Sequence, residues 1–140
     1  MRSASLVASA AVLVAAALTP TAVASDATLK RDLARGVAQI RTTHAQRALA
    51  ARLGATVKRL RADAASTAAG RRARTLAIGG FGWTLQGIRT QLELVENDSG
   101  NIERAVRDAV RADRYLDRGA RLLRAAGRAL GIRVGKLNGH

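Results

Sequence analysis

The fold is decided by residues 102–130, IERAVRDAVRADRYLDRGARLLRAAGRAL. Apolar and small residues recur there at intervals of three and four, the spacing that places them on one face of an α-helix. This stripe comprises Ile102, Val106, Ala109, Leu116, Ala120, Leu123, Gly127, Leu130, Val134 and Leu137. Arginines repeat at the same spacing on the opposite face. The segment is therefore predicted to form a strongly amphipathic helix that covers a core with one face.

A second long helix is predicted upstream, and residues 97–101, NDSGN, form the turn between the two. Asp98, Ser99 or Asn101 can cap the helix that follows. Residues 75–88 carry no charge and have apolar side chains on two faces, which predicts a helix covered on more than one side. Each glycine in a helix costs about 1 kcal/mol relative to alanine. We therefore expect close backbone contacts at Gly79, Gly80, Gly82 and Gly87.

The N-terminal third contains two apolar stripes, residues 29–40 and 49–64, that are out of phase with each other. We expect one continuous helix whose contact face drifts, because residues 41–46 contain no glycine or proline. That helix would end at Gly70 as its C-cap. The alternative is a break, with Thr43 as N-cap and Gln46 closing a capping box.

The fold class that follows is all-α. We expect an up-down-up three-helix bundle of long antiparallel helices, and the alternative is four helices with a break near Thr43.

Residues 1–24 have the features of a cleaved secretory signal peptide. Arg2 gives a positive start, residues 6–18 form an apolar run, and residues 22–24, AVA, form the cleavage site. As a helix that run reaches only about 20 Å, short of a hydrocarbon core of about 30 Å. We therefore expect a secreted or cell-envelope protein whose single basic helical-bundle domain covers residues 25–140. Its first helix would be capped by Ser25 or Asp26.

Basic residues outnumber acidic ones by 24 to 10, giving a net charge of +14. The excess lies in stretches without acids, which an antiparallel bundle would bring together at one end. We expect this end to bind a polyanion. The alternative is a solvated basic face that serves solubility. The candidate anion-binding residues are Arg52, Lys58, Arg59, Arg61, Arg71, Arg72, Arg74, Arg124 and Arg128.

Three further features admit two interpretations each. Trp83 either packs inside the bundle, which we favour, or forms a docking site. Asp113 interrupts the apolar stripe, and we expect it to be buried in an ion pair with an arginine such as Arg47 rather than to be catalytic. Residues 131–140 are expected to fray, with their glycines stopping the helix. The alternative is that residues 118–137 form a cationic amphipathic segment at a membrane surface, with Gly127, Gly131 and Gly135 aligned.

Motifs for catalysis and metal binding are absent from the sequence. It contains no cysteine, only two histidines, and no nucleophile or phosphate-loop motif. We therefore expect no enzyme activity, metal or cofactor.

The leading functional hypothesis is binding of an anionic envelope polymer or an anionic lipid surface. Specific nucleic-acid binding is not expected, because export and the scarcity of aromatic residues argue against it. The alternatives are a membrane-active amphipathic helical protein and a structural protein that self-assembles through its helix faces.

Overall fold

A computed structural model describes residues 20–97 and 100–137. These residues form four helices and contain no strand: α1 (Pro20–Thr42), α2 (Gln46–Ala62), α3 (Ala68–Glu96) and α4 (Ile102–Ala129). The all-α prediction is confirmed. The three-helix bundle is wrong, and the four-helix alternative fits. Residues 1–19 of the predicted signal peptide lie outside the described residues, as do Asp98 and Ser99 of the predicted capping turn.

The break between α1 and α2 resolves the phase difference between the two N-terminal stripes. Because the chain reverses there, both stripes are buried, including Leu29 and Leu33 of α1 and Leu53 and Leu60 of α2. A continuous helix would have left one stripe in solvent. The predicted capping box is not what starts α2. Its N-cap is Ala45, which makes no side-chain cap.

The predicted helix caps Asp26 and Gly70 do not cap helices, and Asp26 instead joins α1 to the start of α3. The described part of α1 starts at Pro20, so Ser25 and Asp26 lie within the helix and neither is its N-cap. The Asp26 carboxylate accepts hydrogen bonds from the Ser66 backbone N–H, at 3.3 Å, and from the Thr67 hydroxyl. Gly70 is not a C-cap. It lies in the first turn of α3, where its N–H donates to the Thr67 hydroxyl.

Helix α3 is the central element and packs against each of the other three helices. The directions alternate. The start of α1 meets the start of α3, the end of α2 meets residue 74 of α3, and α4 runs antiparallel to α3. Phe81 fills the junction of α1, α2 and α3. A Cβ added to Gly36 would lie 2.8 Å from Phe81 Cε1 and 3.0 Å from Thr56 Cγ2.

Helices α3 and α4 approach closely where glycines replace side chains. A Cβ on Gly119 would lie 2.8 Å from the Gly80 carbonyl oxygen and 2.9 Å from the Thr84 nitrogen. A Cβ on Gly87 would lie 2.8 Å from Leu116. The expected close contact therefore holds at Gly80 and Gly87. It does not hold at Gly82, which has no neighbour within 4 Å of an added Cβ.

The segment after α4 is packed, so the expected fraying of residues 131–137 is wrong. Helix α4 does stop at a glycine, because Gly131 has a left-handed φ of +69°. The chain then folds back, with Val134 against Gly127, Gly135 against Arg41, and Leu137 buried in the core. The three glycines thus share no helix face. Residues 138–140 lie outside the described part.

We expect opposite effects from adding one methyl group at two glycines of this pair of helices. Gly119→Ala should lower the free energy of unfolding by about 1–3 kcal/mol, because its Cβ would meet backbone atoms that cannot rotate away. Gly82→Ala should raise it by up to about 1 kcal/mol, because the space is open and alanine favours a helix. Urea unfolding measures both. Changes of the same sign would contradict the close α3–α4 contact.

Candidate anion-binding site

One end of the bundle gathers most of the candidate anion-binding residues, and we call it the basic end. It consists of the end of α2, the start of α3 and the end of α4, which the antiparallel packing brings together. Lys58, Arg61, Arg71, Arg72 and Arg128 are exposed there, and Arg124 is partly exposed. The side chains come from three helices and form a surface rather than enclosing a cavity.

Arg74 is committed to holding two helices together. Its Nε donates to the Leu60 carbonyl oxygen at 2.7 Å, and one terminal nitrogen donates to the Arg61 carbonyl oxygen. These carbonyls lie in the last turn of α2, whose peptide dipoles give a partial negative charge there. Arg74, which lies on α3, therefore caps the C-terminus of α2. Part of its positive charge is offset by the carbonyl oxygens it contacts.

Arg59 is also engaged internally, beside a pair of carboxyl groups that the sequence analysis missed. Arg59 Nε lies 3.9 Å from Asp32 Oδ1, and Arg35 lies 3.6 Å from the same oxygen. Asp32 is buried, and Asp63, the C-cap of α2, lies beside it, where a hydrogen bond between the two carboxyl groups requires one of them to be protonated. The spacing of apolar residues in the sequence does indicate that these two aspartates lie on the buried side. Each aspartate follows a buried leucine, Leu29 or Leu60, by three residues, which places it on the apolar face.

The two acids that join elements at the basic end have pKa values shifted in opposite directions. Burial raises the pKa of Asp63. The hydrogen bond with Asp32 and the negative charge of Asp32 raise it further, whereas the positive charges of Arg74 and Arg59 lower it. The hydrogen bond from Thr67 lowers the pKa of Asp26. Asp26, Asp32 and Asp63 are thus all engaged in contacts within the protein.

Arg52 lies apart from the other candidates. It sits nearer the start of α2 and donates a hydrogen bond of 3.1 Å to the Thr43 hydroxyl, in the connection between α1 and α2. The other eight candidates lie at the basic end. Three of these eight make internal contacts: Arg59, Arg74 and Arg71, whose guanidinium donates a hydrogen bond of 2.9 Å to the Ser66 carbonyl oxygen.

Trp83 is only partly buried, so it does not lie fully inside the bundle as expected, and its role as a docking site stays a prediction. Its ring packs on the next helix, 5.2 Å between centroids from Tyr115, with the Arg118 guanidinium 4.3 Å from the ring centroid. The expected burial of Asp113 is wrong. The residue is exposed, because no helix covers the side of α4 on which it lies, and Arg47 pairs with Glu96 instead.

Residues 20–97 and 100–137 contain neither a metal-binding cluster nor a membrane-spanning helix. No group of three or more His, Cys, Asp or Glu side chains in these ranges could hold a metal ion. No helix within them is long and apolar enough to cross a bilayer.

Comparison with known proteins finds no matching family model, curated protein or solved structure. The charge and geometry of the described residues are therefore what bear on function.

The two shifted acids predict opposite pH dependences. Protonated Asp63 stabilises the fold at low pH, and this contribution is lost as the pH rises through its raised pKa. Ionised Asp26 stabilises the fold at neutral pH, and this contribution is lost as the pH falls through its lowered pKa.

Raising the pH from about 3 to about 7 should therefore make Asp63→Asn more stable relative to the parent chain and Asp26→Asn less stable. Free energies of unfolding across this range measure both differences. If the stability of both variants relative to the parent chain changed with pH in the same direction, the assigned contacts would be contradicted.

Proposed function

We propose that the protein binds an extended polyanion through its basic end and acts without catalysing a reaction. The observation that carries the proposal is the set of six exposed or partly exposed cationic side chains that three helices place at the same end of the bundle. They are Lys58, Arg61, Arg71, Arg72, Arg124 and Arg128. A surface of one sign attracts the opposite charge and raises the rate of encounter with it.

The acids of the basic end do not neutralise this surface. Asp26 is occupied by Ser66 and Thr67, and Asp32 and Asp63 face each other together with Arg59. Each of these carboxyl groups is thus taken up by an internal contact, and the exposed cations keep their charge available for a ligand.

The shape of the basic end favours a repeating anion over a small one. A single phosphate or carboxylate is usually bound in a concave site where several donors converge. Here the cations spread across the ends of three helices. Such spacing suits a polymer or a lipid surface that presents many charges, and an anionic polymer or anionic lipid of the cell envelope has this chemistry.

We expect replacing four arginines of the basic end to weaken polyanion binding and reduce its dependence on salt. The variant carries Arg61→Gln, Arg71→Gln, Arg72→Gln and Arg128→Gln. Affinity for heparin should fall at least about tenfold near 0.1 M salt, and the slope of log affinity against log salt should fall by about one per lost contact.

A control with the same net charge separates the site from general attraction. It carries Arg89→Gln, Arg104→Gln, Arg111→Gln and Arg114→Gln, all exposed and outside the basic end. This control should retain most of the affinity. Equal losses in the two variants would show that total charge, and not the basic end, governs binding. Vesicles with and without anionic lipid, tested in parallel, distinguish a lipid from a polymer as the partner.

A further inference from the structure

The first three turns of α4 expose an apolar line. The exposed large hydrophobic side chains of the described residues are Val95 at 79%, Ile102 at 80%, Val106 at 57% and Val110 at 45%. Three of them are spaced four residues apart on α4 and so lie along one side of that helix. We call Ile102, Val106 and Val110 the Val106 stripe. The apolar periodicity predicts its first two members in the core, and the structure places them in solvent.

The stripe is exposed because the covering elements stop short of it. The end of α1 and the C-terminal segment reach α4 only near Leu116 and Ala120, where they border a groove of about 680 Å³ that also includes Ile40 and Leu137. Over residues 102–110, no described element covers the side of α4 that faces away from α3. The apolar residues on this side are therefore exposed there, whereas the helix is covered near Leu116 and Ala120.

We propose that the Val106 stripe binds the same stripe of a second copy, with the two α4 helices antiparallel. The spacing is symmetric about Val106. In this arrangement Val106 faces its own copy across a two-fold axis, and Ile102 lies level with Val110 of the second copy. An interface of this kind uses one patch twice and closes as a dimer.

The charges beside the stripe select the antiparallel direction. Glu103 and Arg107 are exposed, lie on the same flank, and form no ion pair within the described residues. An antiparallel two-fold pair brings equivalent flanks together, so Glu103 meets Arg107 of the second copy on both halves. A parallel pair would instead place this flank opposite the other, which carries Ala105 and Ala109, and leave the charges unpaired.

The other flank allows the helices to come close. Ala105 and Ala109 are exposed and project only a methyl group each. Packed helices lie about 8–10 Å apart depending on the side chains at the contact, and small residues favour the shorter separation.

The dimer has a consequence for binding that rests on the proposed function. Arg124 lies 18 residues beyond Val106 on the same helix, which is about 27 Å along the axis. In the antiparallel pair the two basic ends therefore point away from each other and lie roughly 55 Å apart. Two such ends on one particle would bind a long polyanion with higher avidity than either alone.

The chain contains no cysteine, so single cysteines can report the register without a background. Val106→Cys should form an intermolecular disulfide at least about tenfold faster than Arg89→Cys, an exposed control on α3. Ile102→Cys and Val110→Cys should each stay near the control rate alone and cross-link rapidly when mixed. Copies of one such residue would lie about 12 Å apart along the axis, beyond the 4.4–6.8 Å usual between disulfide Cα atoms.

Sedimentation of cysteine-free protein tests the same interface by mass, without any polyanion. The parent chain should sediment as a dimer and Val106→Glu as a folded monomer, since Val106 is exposed within one copy. The melting temperature of the parent chain should rise with protein concentration, and that of Val106→Glu should not. A monomeric parent chain would overturn the proposal. So would rapid cross-linking of Ile102→Cys alone, because it indicates parallel helices. Neither result depends on polyanion binding, so this proposal and the proposed function can fail separately.

Discussion

The close approach of α3 and α4 at Gly80, Gly87 and Gly119 is the constraint on which the structure depends. It brings backbone within reach of backbone, so the pair is held by contacts that side chains could not make at this distance. The opposite side of α3 is then free to pack on α1 and α2. A chain with only three aromatic residues can fill such a core because leucine, valine and alanine suffice when helices lie close.

The alternating helix directions that follow from this packing separate the charges of the protein. Seven of the ten acidic residues fall within residues 93–117, around the end of α3 and the first half of α4. The remaining three, Asp26, Asp32 and Asp63, lie at the basic end and are engaged in contacts between elements. The acids at this end link helices, and the cations remain exposed to a ligand. The basic end is therefore held together by internal contacts and is also strongly positive.

Much of this architecture could be predicted from the sequence, and the errors have physical causes. Periodicity identified α3 and α4. Asn101, one of three candidate caps in the turn between them, accepts a hydrogen bond from the Arg104 N–H. The break after Thr42 was only the alternative prediction, because no glycine, proline or side-chain cap marks it. Asp113 and Val106 were assigned to the core because a stripe shows which side of a helix is apolar, whereas how much of it is covered depends on the lengths of the other helices.

The measurement that tests the central claim most directly is a residue-by-residue map of the bound surface. Amide chemical shifts of the isotope-labelled protein, followed during titration with a short sulfated oligosaccharide, report where the polyanion contacts the chain. Binding at the basic end predicts the largest changes at residues 58–61, 71–72 and 124–128, and little change at residues 102–110. Changes centred on the first half of α4, or spread evenly over all arginines, would contradict it.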